Sequence, residues 1–145
     1  MSSLLSLSPL PRLVSVVAAL IAIAVPLFAA DLGDWAGEFK TTRLLKGQAV
    51  LQLSIAQQGS TVQVTFDASR KDGQGAAPEG EGPAKVVDKE TLQFEFEDSF
   101  KNAGTGTIKR KGNDIIVSFE PTTVVDSRSM MFYGDNILLK RVRRK

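Results

Sequence analysis

From Asp31 onward, hydrophobic and polar residues alternate with a period of two over several short stretches. The alternation is regular at residues 51–55, 62–66, 92–96 and 115–119. Successive side chains of a β-strand point to opposite faces, so each stretch predicts a strand with one apolar and one polar face. Such strands are typical of antiparallel sheets that pack one face on a core and expose the other to water.

Along the whole chain, this pattern predicts eight or nine short strands. We place them at residues 35–40, 49–57, 61–68, 84–88, 92–97, 104–110, 114–119, 129–133 and 137–142, of which 84–88 is the least regular. Residues 73–83 (GQGAAPEGEGP) are rich in glycine and proline and predict a mobile surface loop. The predicted fold class is therefore all-β: an antiparallel up-and-down barrel, or a strongly curled meander, of about eight strands.

Three glycine-containing dipeptides predict the register of three hairpins. They are Gln58-Gly59, Lys111-Gly112 and Gly134-Asp135. Two-residue turns at these positions would place Ile55 opposite Val62, Ile108 opposite Ile115, and Phe132 opposite Ile137. Each turn sets apolar residues opposite apolar residues, and this agreement favours a meander.

A longer loop at residues 97–103 predicts a different kind of pairing. The parity rule then places Phe96 opposite Gly104 and Phe94 opposite Gly106. A phenyl ring over a glycine fills the space that the missing side chain leaves. Glycines inside strands also allow the sharp bends that a small barrel requires.

The first thirty residues differ from the rest and predict an export signal. Arg12 is the only charged residue before Asp31, residues 13–30 are mainly apolar, and Ala29-Ala30 ends the stretch. A basic start, an apolar stretch and small residues at its end are the parts of a secretory signal peptide. We predict a signal peptide at residues 1–30 and one β-barrel-like domain at residues 31–145, exported to the periplasm or the cell exterior. The alternative is a retained single-helix anchor.

The chain contains neither cysteine nor histidine. Disulfides, thiolate or imidazole metal ligands, and nucleophilic machinery of the Ser-His-Asp or Cys-His type are therefore excluded. Glu95, Glu97 and Asp98 form the one carboxylate cluster, and the alternation places both glutamates on a solvated face rather than in a glycosidase-type site. We predict no catalytic residue, no metal site and no cofactor, and hence a non-enzymatic protein.

Positive charge is concentrated at the C-terminal end of the chain. Residues 140–145 (KRVRRK) carry five positive charges, whereas residues 31–139 hold 12 basic and 16 acidic residues. A mildly acidic body does not favour nucleic-acid binding. Arg143, Arg144 and Lys145 are candidates for weak contact with an anionic membrane surface or an acidic partner. Alternatively, the tail only solvates the last strand and prevents it from pairing with other molecules.

Two residues far apart in sequence are predicted to meet at one end of the barrel. Trp35 opens the first predicted strand, and Arg141 lies on the last strand with the parity of Ile137 and Leu139. First and last strands are neighbours in a closed meander, so the Arg141 guanidinium can cover the Trp35 ring, a cation–π contact of about 1 kcal/mol. The alternative is that Trp35 is a core aromatic and Arg141 part of a solvated tail.

The sequence Gly33-x-Trp35 at the first strand, with an arginine on the last strand, resembles the signature of the lipocalins and the wider calycin barrels. The resemblance extends over the mature chain in the number and order of strands, and Gly33, Trp35 and Arg141 are its specific matches. It implies an eight-stranded up-and-down barrel that could hold an apolar ligand.

Two groups of apolar residues are candidate binding surfaces. Phe66, Phe94, Phe96, Val117 and Phe119 lie on the predicted inner face, where they either line a ligand cavity or form a plain core. Met130, Met131, Phe132 and Tyr133 are consecutive, so a strand there must expose some of them, and they are a candidate contact surface for a protein partner. We predict an exported, non-enzymatic binding protein. Two specific forms stay open: an inhibitor of a secreted hydrolase, and a carrier of a small apolar ligand.

Overall fold

A computed structural model describes residues 33–143 of the chain. The predicted signal peptide at residues 1–30 lies outside the described residues, and so do Arg144 and Lys145 at the other end. Within the described part, no helix has both the length and the apolar character needed to cross a membrane.

Eight antiparallel strands follow one another in chain order and close into a barrel, with β1 beside β8. They are β1 (Gly37–Arg43), β2 (Ala49–Gln58), β3 (Thr61–Arg70), β4 (Glu79–Asp88), β5 (Thr91–Asp98), β6 (Ala103–Lys111), β7 (Asp114–Thr123) and β8 (Ile137–Arg141). The predicted all-β, up-and-down architecture is confirmed. The alternation explains it, because inward residues such as Leu51, Val64 and Ile108 are fully buried.

The two ends of the barrel are built differently. At the tight-turn end, two-residue connections join β2 to β3, β4 to β5 and β6 to β7, and Trp35 precedes β1. At the loop end, longer connections join the other strands, and the longest is the crossing loop, residues 124–136. This loop contains a 3₁₀ helix, Ser127–Phe132. At the same end, a helical turn at Leu44–Gly47 connects β1 to β2.

Two predicted hairpin registers are wrong by two residues, although the faces are right. Ile55 pairs with Val64 rather than Val62, and Ile108 pairs with Val117 rather than Ile115. The turns begin one residue later than predicted, because Gly59 and Gly112 occupy the first turn position. Both have positive φ, 64° and 62°, which glycine adopts without steric penalty. A shift of two residues preserves which side chains point inward.

The predicted strand at residues 129–133 is wrong, and with it the turn at Gly134-Asp135. Residues 129–132 belong to the 3₁₀ helix, at whose start Asp126 accepts a hydrogen bond from the Arg128 N–H at 3.0 Å, and Tyr133 follows its end. Four consecutive apolar residues cannot alternate, whereas a helical segment can bury Phe132 and expose Met131.

The segment predicted as a mobile loop, residues 73–83, is partly wrong. Strand β4 begins at Glu79, and Ala76 and Pro78 before it are buried. Its inward positions are glycines: the Phe66 ring occupies the side-chain space of Gly80, and the Glu95 backbone occupies that of Gly82. An apolar alternation cannot be recognised where the inward residues have no side chains.

The predicted pairing of phenylalanine with glycine is confirmed. Phe96 lies opposite Gly104 and Phe94 opposite Gly106. The Phe94 ring occupies the side-chain space of Gly106, as expected. At Gly104 the closest group is instead the Glu120 backbone, beside an irregularity in the β6–β7 ladder.

Candidate functional site

The five predicted interior residues point into the barrel and are packed against one another. Phe66, Phe94, Phe96 and Phe119 are at most 4% exposed, and Val117 is fully buried. Each of the four phenyl rings lies within 6.2 Å of another, measured between centroids, mostly edge to face. An eight-stranded barrel is just wide enough to be filled by side chains or to hold one small ligand. Rings from β3, β5 and β7 that contact one another across the interior fill it.

Tyr133 of the crossing loop completes this aromatic cluster from the loop end. Its ring centroid lies 5.1 Å from that of Phe119, 5.3 Å from that of Phe96 and 5.9 Å from that of Phe66. Phe132 beside it is fully buried. The crossing loop therefore closes the loop end of the barrel with the side chains of Phe132 and Tyr133.

At the tight-turn end, Trp35 is 1% exposed and is covered by an arginine other than the predicted one. The guanidinium carbon of Arg110 lies 3.8 Å from the centroid of the Trp35 ring. Its Nε donates to the Lys89 carbonyl at 3.1 Å and its Nη1 to the Asp34 carbonyl at 3.2 Å. The Trp35 backbone N–H donates to Gln57 Oε1 at 2.7 Å. Arg110 thus ties the residues that precede β1 to the β4–β5 turn.

The predicted stacking of Arg141 on Trp35 is replaced by stacking on Phe39, with 4.8 Å between guanidinium carbon and ring centroid. The β1–β8 register explains this, because Phe39 is paired directly with Arg141 while Trp35 lies before the start of β1. Arg141 also donates to the carbonyls of Asn113, at 3.1 Å, and Ala36, at 3.2 Å. Arg141 therefore helps to close the barrel at this end, by a different contact from the predicted one.

A buried hydrogen-bond network holds the crossing loop on the barrel. Asp98 at the end of β5 is 4% exposed, and its carboxylate accepts four hydrogen bonds. The donors are the Tyr133 hydroxyl at 2.6 Å, the Asn102 amide at 2.9 Å, and the backbone N–H groups of Phe100 and Asn102 at 2.8 and 2.9 Å. A buried carboxylate is stable only when its oxygens are paired in this way.

Asn102 extends this network into the crossing loop. Its side chain is fully buried, and its Oδ1 accepts from the backbone N–H groups of Val125 at 2.7 Å and Asp126 at 2.8 Å. Burial raises the pKa of Tyr133, and the hydrogen bond to Asp98 raises it further, so its hydroxyl remains a donor. Ser129 Oγ in the same loop is buried without a hydrogen-bond partner among the described residues.

Sequence reasoning missed the role of Asp98, which it grouped with Glu95 and Glu97 as a solvated cluster. The two glutamates are exposed on the outer face of β5, as the alternation predicts. Asp98 is one residue beyond Glu97 and therefore faces inward, and this parity was the available signal. Nothing in the described range groups three acidic side chains into a possible metal site.

The outer surface of the crossing loop exposes an apolar patch. Val124, Val125 and Met131 are 53%, 64% and 47% exposed, and we call these three residues the crossing-loop patch. Of the predicted partner surface, residues 130–133, only Met131 is exposed, because Met130 is half-buried and Phe132 and Tyr133 are buried. The exposed apolar residues therefore lie on the crossing loop, and two of the three precede the predicted segment.

Charged side chains beside the patch are held by one another. Arg128 donates to Asp126 through Nε and Nη2, with a shortest contact of 2.6 Å, and its guanidinium lies 5.4 Å from the centroid of the Phe100 ring. These hydrogen bonds lower the pKa of the Asp126 carboxyl to about 2. The ion pair is therefore present across the physiological pH range.

Of the predicted anionic-surface contact, only Arg143 belongs to the described residues, and it is exposed. This position is compatible both with contact to a membrane surface and with a solvating tail. The contact stays a prediction.

Comparisons with protein-family models, with curated proteins and with solved structures find no match for this chain. The number, order and antiparallel pairing of its eight strands are consistent with a lipocalin-like barrel.

Proposed function

We propose that this chain is an exported, non-enzymatic binding protein that contacts a protein partner through the crossing-loop patch. The observation that carries the proposal is the contrast between a filled interior and an exposed apolar patch on a fixed loop. Rings occupy the interior, whereas Val124 and Val125 point outward from a backbone that Asn102 holds.

A fixed loop suits protein recognition, because binding then requires little further ordering of the backbone. Asn102 binds the loop backbone at Val125 and Asp126, and Tyr133 anchors its far side to Asp98. Adjacent exposed valines flanked by the Arg128–Asp126 pair form a small apolar centre with a polar rim, as protein interfaces do. An inhibitor that presents this loop to a secreted hydrolase is one specific form of the proposal.

The alternative, a carrier of a small apolar ligand, receives less support. A ligand in the interior would have to displace the contacts of Phe66, Phe96 and Phe119 with one another and with Tyr133. Kinship with the lipocalins also belongs to this proposal and rests on barrel architecture and on Trp35 at the tight-turn end. Export, and the weak contact of the C-terminal tail with anionic membranes, are proposed on sequence grounds.

The test compares substitutions on matched exposed valines at opposite ends of the barrel. Val125→Asp places a charge in the patch, and Val87→Asp places the same charge at an equally apolar, 54% exposed position near the tight-turn end. Partners are cross-linked in the exported fraction, identified by mass spectrometry, and titrated as pure proteins against each variant.

We expect Val125→Asp to weaken partner binding at least about tenfold, as loss of a central apolar contact does, with Val87→Asp unchanged. Equal binding by the wild type and both variants, or an equal loss in both variants, would contradict the proposed surface.

A further inference from the structure

The seam between β1 and β8 is the weakest part of the barrel wall. Only two residue pairs, Phe39 with Arg141 and Lys40 with Lys140, join the two strands, whereas ten pairs join β2 to β3. Beyond Lys40 the strands separate toward the loop end. A cleft of about 620 Å³ opens between them, lined by residues 40–45, 137–138 and 140–142.

The β8 edge of this cleft presents backbone groups that have no partner in the barrel ladder. The Val142 N–H donates to the Glu38 carbonyl, so hydrogen-bonded pairs fall at 38/142 and 40/140. A regular ladder would next pair Thr42 with Leu138, since bonded pairs alternate along antiparallel strands. That pair is absent from the β1–β8 ladder, and the β1–β2 register shifts by one residue between Thr41 and Leu44, so β1 bulges there. The N–H and C=O groups of Leu138, on the regular strand β8, therefore have no partner on β1 and face the cleft.

The side chains around the cleft are apolar or cationic. Leu44 and Leu45 are half-buried at its loop-end side, and Leu138 and Val142 are 41% and 42% exposed. No acidic residue belongs to the lining. The cleft therefore offers apolar contacts and unpaired backbone groups within a positively charged rim.

The rim charges are Lys40, Arg43 and Lys140, together with Arg141, whose guanidinium is stacked on Phe39. Within the described part of the chain, none of them has a carboxylate within 4 Å. Lys40 and Lys140 are paired directly across the seam, where like charges repel. Burial and the charge of Glu79 raise the pKa of Asp67 on β3, and Lys40 lowers it by a smaller amount. A bound anionic group would offset the repulsion between the two lysines.

We propose that this cleft binds an extended acidic peptide segment, which adds a short strand to the barrel edge at β8. The backbone groups of Leu138 would pair with the segment, as in recognition by strand addition. Alternate apolar side chains of the segment would contact Leu138 and Val142, and its carboxylates would lie against Arg43 and Lys140. This site is separate from the crossing-loop patch, so either proposal can fail alone.

A peptide fits the cleft better than a lipid does. An acyl chain gains nothing from facing the N–H and C=O groups of Leu138, which it would remove from water without pairing. An extended peptide pairs these groups and uses the charged rim as well.

The test follows backbone amide signals of the ¹⁵N-labelled protein by nuclear magnetic resonance. The probe is an eight-residue peptide that alternates valine with glutamate. One control replaces glutamate with lysine, a second carries N-methyl groups on alternate residues, and a third is a phosphatidylglycerol vesicle. The protein variant is Arg43→Glu with Lys140→Glu, and its matched control makes the same change twice on the β6 wall, at Lys109 and Lys111, both exposed.

We expect the acidic peptide to shift the amide signals of Thr42 and Leu138, which both line the cleft, and to slow hydrogen exchange at Leu138. The rim variant should weaken binding at least tenfold, and the β6 control should change it less than twofold. The lysine and N-methyl peptides should not bind. Cleft signals that the acidic peptide leaves unchanged, equal binding of the N-methyl peptide, or a response to vesicles alone would overturn the proposal.

Discussion

The two ends of the barrel are closed by different chemistry. At the tight-turn end, the Trp35 ring is covered by the Arg110 guanidinium, which is held by backbone carbonyls. At the loop end, Tyr133 and the Asp98 carboxylate form a buried hydrogen-bond network. The first closure depends on packing area and the second on complete pairing of polar groups.

The two ends should respond differently to pH, because different groups close them. An arginine remains charged throughout the accessible range, so the stacking on Trp35 is insensitive to alkali. Tyr133 donates to Asp98 only while its hydroxyl keeps its proton. The chain has one tryptophan and one tyrosine, one at each end, so each closure has its own spectroscopic probe.

The largest effect is expected from Trp35→Ala. Removal of a fully buried indole should lower the free energy of unfolding by about 3–5 kcal/mol. Urea unfolding followed by circular dichroism measures this, and Trp35→Phe should recover part of the loss. An unchanged unfolding midpoint would mean that Trp35 does not close the tight-turn end.

Asp98→Asn tests the closure at the loop end. The asparagine amide has the shape of the carboxylate, but only one of its two terminal atoms can accept a hydrogen bond. Some of the donors on Tyr133, Asn102 and Phe100 therefore lose their acceptor. We expect a loss of about 2–4 kcal/mol in unfolding free energy, since each buried unpaired group costs about 1–3 kcal/mol.

The matched control is Glu97→Gln, because Glu97 is exposed and its contact with Lys101, at 3.7 Å, lies in water. This change should remain within about 0.5 kcal/mol. Hydrogen exchange at Val125 and Asp126 should accelerate in Asp98→Asn, while Trp35 fluorescence stays as in the wild type. A loss of equal size in both variants would remove the special role of Asp98.

Alkaline pH should weaken the loop end through Tyr133. Its pKa is raised above the ordinary value of 10.0, mainly by burial, so above pH 10 the unfolded chain releases a proton that the folded chain keeps. The contribution of the Tyr133 hydroxyl to the free energy of unfolding is therefore complete below pH 10. Above pH 10 the free energy of unfolding falls by about 1.4 kcal/mol for each pH unit. Urea unfolding at pH values on either side of 10 measures this slope.

Tyr133→Phe should abolish the alkaline slope that this residue contributes. In the wild type, the ultraviolet absorbance of phenolate should appear together with unfolding and not before it. Phenolate that forms in the folded protein near pH 10 would contradict the burial of Tyr133.

The smallest effects separate the two arginines of the tight-turn end. Arg110→Met and Arg141→Met should each cost about 1–2 kcal/mol, from a cation–π contact and exposed hydrogen bonds. Only Arg110→Met should change the Trp35 emission spectrum, because Arg141 lies over Phe39. An equal spectral change in both variants would restore the originally predicted contact of Arg141.

Alternation and parity were enough to predict the barrel, because they determine which side chains point inward. The pairing of Phe94 with Gly106 followed from parity alone. The same signal failed at β4, where Gly80 and Gly82 have no side chains to alternate, and at residues 129–133, where apolar residues are consecutive.

The site was harder to predict than the fold because its contacts join residues distant in sequence. Arg110 is 75 positions from Trp35, and the structure brings them together where the residues before β1 fold over the barrel end. Tyr133 was interpreted as surface, since nothing local indicates that Asp98 would accept from its hydroxyl. The β1–β8 cleft depends on where two strands separate, which no local pattern encodes.

Native mass spectrometry of the protein, purified gently and without denaturation, tests whether both ends are closed around a filled interior, so that binding takes place on the outer surface. The expected result is the mass of the bare chain, alone or with a protein partner. A small molecule that adds mass, is held without a covalent bond and is lost on denaturation would contradict the filled interior. Its place in the interior would be shown by a shift, on its release, of the nuclear magnetic resonance signals of the interior aromatic residues.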